Sequence, residues 1–287
     1  MSPDDETATM AAAAKSPAPV ALLGSLGRVA SGPLRRALEH ASGIVHLFFK
    51  TLEQTFVAPL AGRNKLSAQL FPMMSNVGVR SLPIVFLVSF LIGAILVLQT
   101  GDVLKRYGQI QEVPGLVALS MTRELGPLMT AIVITARVGA SFTAVLASMK
   151  INEEILALQS MAIDPVGYLV SPRFLGMVVM VPCLTVLAFI VGMAGGYLVA
   201  GSVYGIPGGV YVAKTFSYLK MSDVFSGLVK SVAFGVLVTL ICCYYGLISE
   251  GGPMGVGRNI MVAVVSSLVI VVLADMLLTA LFVNYVF

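Results

Sequence analysis

Residues 148–173 read SMKINEEILALQSMAIDPVGYLVSPR, a polar stretch between two long apolar segments. Asn152 is a good N-cap residue. Glu153 and Glu154 place negative charge in the first helical turn, where the helix dipole favours it. The stretch therefore predicts a short helix that begins at Glu153 and connects the two apolar segments.

Proline-containing signals end this predicted helix. Asp164 and Pro165 stop it, and the same pair can restart the chain as a cap and a first-turn proline. Ser171 and Pro172 repeat this arrangement just before the next apolar segment. The predicted helix has about 11 residues and is roughly 16 Å long at 1.5 Å per residue.

The predicted helix has one apolar and one polar face. At 100° per residue, two apolar side chains fall on the polar face, among Asn152 and Glu153. These are Leu156 and Ile163. Apolar side chains in such positions indicate a surface that docks onto a protein partner. A plain interfacial helix on the bilayer has a similar composition, and the sequence leaves both interpretations open.

The composition is that of an integral membrane protein. Hydrophobic residues make up 57% of the 287 residues and charged residues 11%, with a mean hydropathy of +0.95. A soluble domain is less apolar and more highly charged. The net charge of +4 comes mostly from the N-terminal third, and no basic patch with interleaved aromatic residues accompanies it. It therefore indicates juxtamembrane charge and not nucleic-acid binding.

Five apolar segments are long enough to cross a hydrocarbon core of ~30 Å. They are residues 82–98, 115–149, 174–200, 224–249 and 260–286. Between them we expect an external loop at 101–114, a loop at 201–223 and a tight glycine turn at 251–258. The predicted fold is an all-α membrane protein with about five transmembrane helices, an N-terminal interfacial helix and a cytoplasmic coupling helix.

The N-terminal part differs from the rest. Residues 1–27 have the composition of a disordered tail, and residues 28–80 form a basic amphipathic segment that predicts an interfacial helix. Residues 81–287 form the transmembrane domain. The distribution of Lys and Arg places the N-terminus and the short helix predicted to begin at Glu153 in the cytoplasm. The cations compared are Arg63, Lys65, Arg80, Lys150, Arg173 and Arg258 on that side, and Lys105, Arg106, Lys214 and Lys220 on the other.

Four ionisable residues occur at matching depths in three of the predicted spans, roughly 9 to 15 Å from the outer ends by helix rise. They are Arg123, Glu124, Lys230 and Asp275. A charge in a span costs about 2.5 to 3.5 kcal/mol on insertion scales, so it faces a bundle interior or a cavity. Two interpretations are open: a network that pins helices together, or a cavity for a polar or anionic headgroup. Snorkelling explains Arg137, near the cytoplasmic end of its span.

The sequence offers no residues for catalysis. It contains no G-x-x-x-x-G-K-[ST] loop, so the chain cannot by itself use ATP in the P-loop manner. His40 and His46 have no cysteine or carboxylate at ligand spacing. The three cysteines all fall in apolar segments, as small buried hydrophobes do. We expect no catalytic residue, no metal and no cofactor bound by this chain.

Residues 123–173 form a long motif with a characteristic sequence. It reads RELGPLMTAIVITARVGASFTAVLASMKINEEILALQSMAIDPVGYLVSPR and closely resembles the signature of the MlaE-type (YrbE-type) permeases. These belong to bacterial ABC lipid-transport systems associated with MCE proteins. The resemblance continues through the glycine turn and the Asp275 segment, and leaves out only the N-terminal tail. It implies a homodimeric permease in the bacterial inner membrane.

The resemblance also implies partners and roles. The partners are an ABC ATPase that uses ATP and Mg²⁺, a periplasmic MCE-domain protein and often a STAS-domain protein. The coupling helix to the ATPase would comprise Asn152, Glu153, Glu154, Leu156 and Ile163. The lipid cavity or charge network would comprise Arg123, Glu124, Lys230 and Asp275.

The function implied is transport of phospholipids or related lipids between the inner and outer membranes, which helps to maintain outer-membrane lipid asymmetry. The alternative is an ion-driven secondary transporter of an amphipathic substrate, in which the intramembrane charges would relay protons. The absence of a visible inverted repeat weighs against this alternative.

Overall fold

Long apolar segments fold as helices in a membrane because their backbone hydrogen bonds must be satisfied internally. The computed structural model describes residues 32–57 and 66–285, and in these residues it contains helices and no strand. Five helical segments are long and apolar enough to cross a membrane. Spans 1 to 5 are Leu70–Arg106, Ile110–Ile151, Val166–Tyr204, Met221–Leu247 and Gly252–Asn284. The predicted all-α fold with five spans is confirmed.

The α-helices of the described residues are numbered in chain order. They are α1 (Gly32–Leu52), α2 (Leu66–Val77), α3 (Leu82–Arg106), α4 (Val113–Ser120), α5 (Gly126–Ile134), α6 (Ala140–Ile151), α7 (Glu154–Ser160), α8 (Ser171–Tyr204), α9 (Gly208–Tyr218), α10 (Met221–Leu247) and α11 (Gly252–Tyr285). Two π-helical turns, Met121–Leu125 and Thr135–Gly139, join α4, α5 and α6 into span 2. A third, Val166–Val170, precedes α8.

The spans extend beyond the apolar segments that predict them. In the expected loop 101–114, α3 continues to Arg106 and α4 already begins at Val113. The expected glycine turn at 251–258 is confined to its start, because only Gly251 and Gly252 have positive φ there and α11 begins at Gly252. The expected loop 201–223 contains a helix, α9. A helix satisfies its own backbone whether or not its side chains are apolar, so hydropathy marks the membrane core and not the helix ends.

Spans 1 and 3 cross with their backbones in contact. A Cβ atom on Gly93 would lie 1.8 Å from the Gly192 carbonyl oxygen, and one on Gly195 would lie 2.2 Å from the Phe90 carbonyl oxygen. Only glycine allows so close an approach, the usual device for tight helix packing in membranes. This crossing holds span 3 against span 1.

Helix α9 is tied to the start of span 2 by polar contacts. Lys214 Nζ lies 2.5 Å from Glu112 Oε1, and the Tyr218 hydroxyl donates to Glu112 Oε2 at 2.8 Å. The hydrogen bond to Glu112 raises the pKa of Lys214 above its ordinary value. The two contacts place α9 beside the end of span 2 that lies opposite to α7.

Helix α1, as far as Lys50, belongs to a unit distinct from the unit that contains the spans. It lies within the segment 28–80 that is predicted to be interfacial, and its membrane location stays a prediction. The predicted disordered tail, residues 1–27, lies outside the described residues.

Candidate functional site

The helix between spans 2 and 3 is shorter than predicted. Helix α7 has seven residues, Glu154–Ser160, and begins after Glu153. Asn152 does not cap it, because Asn152 ends α6 and its amide N–H donates to the Ser148 carbonyl at 2.9 Å. Glu153 turns the chain in the left-handed region at φ 60°, a conformation that costs an L-residue roughly 1–2 kcal/mol. The predicted start at Glu153 and the predicted length are therefore wrong.

The restart after α7 follows one of the two predicted signals. Ala162 takes a left-handed conformation at φ 57°, and the Asp164 carboxylate accepts the Gly167 N–H at 3.1 Å. Asp164 thus caps the next helix as predicted. The Ser171 and Pro172 signal coincides with the start of α8, but it does not restart the chain, because the π-turn Val166–Val170 runs directly into α8 and span 3 is continuous from Val166 to Tyr204.

Most of the predicted coupling residues lie on the surface of this connection. Asn152, Glu153 and Glu154 are exposed, and Leu156 is 59% exposed. Ile163 is half-buried and lies beyond the end of α7. Sequence reasoning missed Met161, which is 69% exposed beside the end of α7. The connection presents carboxylates and two large apolar side chains together.

Three of the four intramembrane charges meet. Lys230 of span 4 places its Nζ atom 2.6 Å from Glu124 Oε2 of span 2 and 2.9 Å from Asp275 Oδ1 of span 5. We call these residues, with Thr279, the charge cluster. Thr279 accepts a hydrogen bond from Lys230 at 2.7 Å and donates to Asp275 O at 2.8 Å. Sequence reasoning missed Thr279, although it lies one helical turn after Asp275 on the same face.

The Arg123 side chain pairs outside this cluster. Its Nη2 atom lies 2.7 Å from Asp223 Oδ1, and its Nε atom donates to the same oxygen at 2.8 Å. Asp223 also accepts the Lys220 N–H at 2.9 Å and so caps span 4. Arg123 reaches the cluster through its main chain, because its carbonyl accepts a hydrogen bond from Lys230 Nζ at 3.1 Å.

The cluster is enclosed, with one edge open. The Lys230 side chain is 2% exposed and Asp275 14%, whereas Glu124 is 37% exposed. A small cavity of about 50 Å³, lined by Arg123, Glu124, Lys230, Ser226, Thr279, Phe282 and Val283, lies beside it. One ammonium faces two carboxylates, and the more exposed carboxylate is the group that a polar molecule can reach from the cavity.

The predicted snorkelling of Arg137 is wrong, because its side chain is held by partners within the bundle. It lies in the second π-turn of span 2, half-buried. Its guanidinium donates to Ser81 Oγ at 2.5 Å and to the Asn76 carbonyl at 3.3 Å. Asn76 lies in the last turn of α2, where helical carbonyls lack intrahelical donors. Arg137 therefore ties the end of α2 to span 2.

Metal binding finds no support in the part of the chain that the structure describes. It contains no group of three or more His, Cys, Asp or Glu side chains placed to hold a metal ion. Cys242 and Cys243 are buried, and Cys183 is exposed.

The part of the chain that contains the five spans matches a known protein family. Residues 70–281 match the family model described as Permease MlaE. The chain belongs to the MlaE permease family. The match includes α7 and the whole charge cluster, and it identifies the chain as a multi-pass ABC transporter permease, which works with an ATPase subunit.

Individual relatives agree with the family match. A probable ABC transporter permease protein of Rickettsia typhi is 39% identical over 205 residues, which are 71% of this chain and 79% of that protein. One of Synechocystis sp. is 36% identical over 236 residues, 82% of this chain and 89% of that protein. The Arabidopsis thaliana protein TRIGALACTOSYLDIACYLGLYCEROL 1, chloroplastic, is 34% identical over 209 residues, 73% of this chain and 60% of that protein.

Proposed function

We propose that this permease moves phospholipids or related lipids between the inner and outer membranes of a bacterium and so helps to maintain outer-membrane lipid asymmetry. Two copies of the chain form the permease in the inner membrane, with the N-terminus and α7 in the cytoplasm. The ATPase, with a STAS-domain protein, binds on that side and uses ATP and Mg²⁺. An MCE-domain protein binds on the periplasmic side, and the permease itself catalyses no reaction.

The observation that carries the proposal is the charge cluster between spans 2, 4 and 5. Lys230 is 2% exposed and contacts two carboxylates within 2.9 Å. Charges within a membrane bundle are costly and mark the path of a polar or charged group. For a lipid that crosses an apolar bundle, the polar group is its headgroup. The half-exposed Glu124 is the point where this headgroup meets the cluster.

Helix α7 supplies the other half of the mechanism. The helix from Glu124 to Ile151 is about 40 Å long at 1.5 Å per residue, so the cluster and α7 lie toward opposite ends of span 2. The ATPase contacts the exposed Leu156 and the carboxylates beside it. When ATP binding moves α7, span 2 moves with it as a rigid element and shifts Glu124 against Lys230.

The name of one relative supports a lipid as cargo. The Arabidopsis relative is named for trigalactosyldiacylglycerol, a lipid. The named bacterial relatives are described as ABC transporter permeases without a substrate. The apolar bundle with an enclosed charge cluster favours an amphipathic substrate here as well.

The proposal is tested by purifying the tagged permease from its native membrane in mild detergent and identifying bound proteins and lipids by mass spectrometry. We expect an ABC ATPase and an MCE-domain protein, with phospholipid. A matched preparation carrying Glu153→Lys and Glu154→Lys is expected to keep the lipid and lose the ATPase. A permease without an ATPase that transports on an ion gradient in vesicles would establish the secondary transporter instead.

A further inference from the structure

Pro127 follows the π-turn that carries Arg123 and Glu124. A residue at this position would ordinarily donate its amide N–H to a carbonyl four residues earlier, or five in a π-turn. Those carbonyls belong to Arg123 and Thr122. Proline has no amide hydrogen, so position 127 gives neither carbonyl a donor. The preceding residue, Gly126, does donate in the π pattern, to the Met121 carbonyl.

Span 4 meets both of these carbonyls. Lys230 Nζ donates to the Arg123 carbonyl at 3.1 Å. One turn earlier on the same face of span 4, Gly227 lies against the Thr122 carbonyl, and a Cβ atom on it would be 2.3 Å from that oxygen. The two contacts together fix the height of span 4 against span 2.

Phe189 of span 3 packs against Gly126 and Gly227 at this junction of spans 2 and 4. A Cβ atom on Gly126 would lie 2.4 Å from the Phe189 ring, and one on Gly227 would lie 2.9 Å from it. Spans 2, 3 and 4 are therefore tightly packed where Gly126 and Gly227 meet Phe189. On this side of the π-turn there is little room for a change in its backbone hydrogen bonds.

The position of Lys230 depends on this junction. An ammonium has three N–H donors, and besides the Arg123 carbonyl the Lys230 ammonium donates to Glu124 Oε2 and Thr279 Oγ1. Without the carbonyl, the ammonium would keep its acceptors on Glu124 and Thr279 and could turn its third donor to Asp275 Oδ1, 2.9 Å away. It would then lose its contact with the backbone of span 2 and move from its present position.

We infer that Pro127 is a positioning residue for Lys230: by withholding an amide hydrogen it leaves the Arg123 carbonyl to the Lys230 ammonium. This in turn holds the ammonium between Glu124 and Asp275. The consequence for lipid transport rests on the proposed function, whereas the consequence for the surroundings of Lys230 does not.

The test compares two residues with the same side chain, one with a backbone N–H and one with an ester oxygen in its place. Pro127→Ala restores an N–H that competes with Lys230 for the carbonyl. Replacing Pro127 by lactic acid, the hydroxy-acid counterpart of alanine, gives the same side chain with an ester oxygen and no N–H. Pro182→Ala is the matched control, since Pro182 is also inside a spanning helix, α8, and lies outside the charge cluster.

The direct readout is labelling of the Lys230 amine by a membrane-permeant amine reagent in lipid nanodiscs, measured by peptide mass spectrometry with exposed Lys105 as the internal reference. We expect Pro127→Ala to raise Lys230 labelling about tenfold, the change expected when a charged group loses one hydrogen bond. The lactic acid variant and Pro182→Ala are expected to label like the wild type. ATP-driven lipid transfer should fall about tenfold in Pro127→Ala alone.

The comparison separates the possible outcomes. If the alanine and lactic acid variants behave alike, whether both label like the wild type or both label strongly or fail to fold, the amide hydrogen is irrelevant and the inference is overturned. If only the alanine variant is defective, the inference stands. If labelling follows the expected pattern while no preparation transfers lipid, the positioning role stands and the proposed function fails.

Discussion

The two polar regions of this apolar chain are built in opposite ways. In the charge cluster, Lys230, Glu124 and Asp275 face one another within 2.9 Å. In α7 and its flanks the carboxylates point outward, Leu156 and Met161 are exposed, and the backbone is left-handed at both ends. The cluster is completed by the chain itself, whereas α7 has the features of a surface that another protein completes.

The largest expected effect is at the centre of the cluster. Lys230→Met leaves two carboxylates without their cation in an enclosed site, and removing one partner of a buried pair costs about 3–5 kcal/mol. We expect the thermal unfolding temperature to fall markedly and ATP-driven lipid transfer to be lost.

Lys214→Met is the matched control, because it removes a lysine from another ion pair with a glutamate, Lys214 and Glu112, whose side chains are 34% and 27% exposed. A screened pair contributes less, so the loss should be clearly smaller. Equal losses in the two variants would show that burial of the cluster does not matter.

The next largest effect is expected at α7 and its flanks. Glu153→Lys with Glu154→Lys reverses the charge beside Leu156, and we expect the amount of co-purifying ATPase to fall by about thirtyfold, or ~2 kcal/mol of binding. Both side chains are exposed, so the unfolding temperature should stay within about a degree or two of the wild type, as for most surface substitutions. Wild-type assembly and transport in the double variant would refute the coupling role of α7.

Asp275→Ala tests the role of the second carboxylate of the charge cluster. The change removes one of two carboxylates and leaves the Lys230–Glu124 contact of 2.6 Å in place. We expect lipid transfer to fall by about tenfold, from the loss of one charged contact, with ATPase binding unchanged. Equal loss of transfer and ATPase binding in a misfolded permease would instead indicate a purely structural network.

The meeting of Lys230, Glu124 and Asp275 could be predicted from the sequence, because they lie at matching depths and a charge in an apolar span must find a partner. Arg123 lies at the same depth and was expected in the same group, whereas its side chain pairs with Asp223. The sequence pattern placed Asp223 in a loop, because apolar content ends there while the helix does not.

The connection between spans 2 and 3 shows the other limit of the sequence. Asp164 followed the expected capping pattern, because a carboxylate before a proline acts through local hydrogen bonds. Glu153 and Ala162 are left-handed, although neither is a residue type that favours this conformation. Their backbone angles are fixed by the ends of spans 2 and 3, and no local pattern signals such a constraint.

The smallest expected effect concerns this strain. Ala162 has φ 57°, so Ala162→Gly relieves a left-handed conformation and should stabilise the protein by about 1 kcal/mol. Ala157→Gly, within α7, is the matched control and should destabilise it by about 0.5–1 kcal/mol. Thermal unfolding of the two variants in the same detergent checks the opposite signs. The same sign for both would show that the left-handed turn is not strained.

The most direct test of ATP-driven lipid transport is the transfer of a fluorescent phospholipid by the permease and its ATPase reconstituted in proteoliposomes, with ATP hydrolysis recorded in the same vesicles. We predict that transfer requires ATP and that Lys230→Met abolishes transfer while the ATPase remains bound and hydrolyses ATP. Transfer driven by an ion gradient without the ATPase would contradict ATP-driven transport, and wild-type transfer by Lys230→Met would contradict the role of the charge cluster.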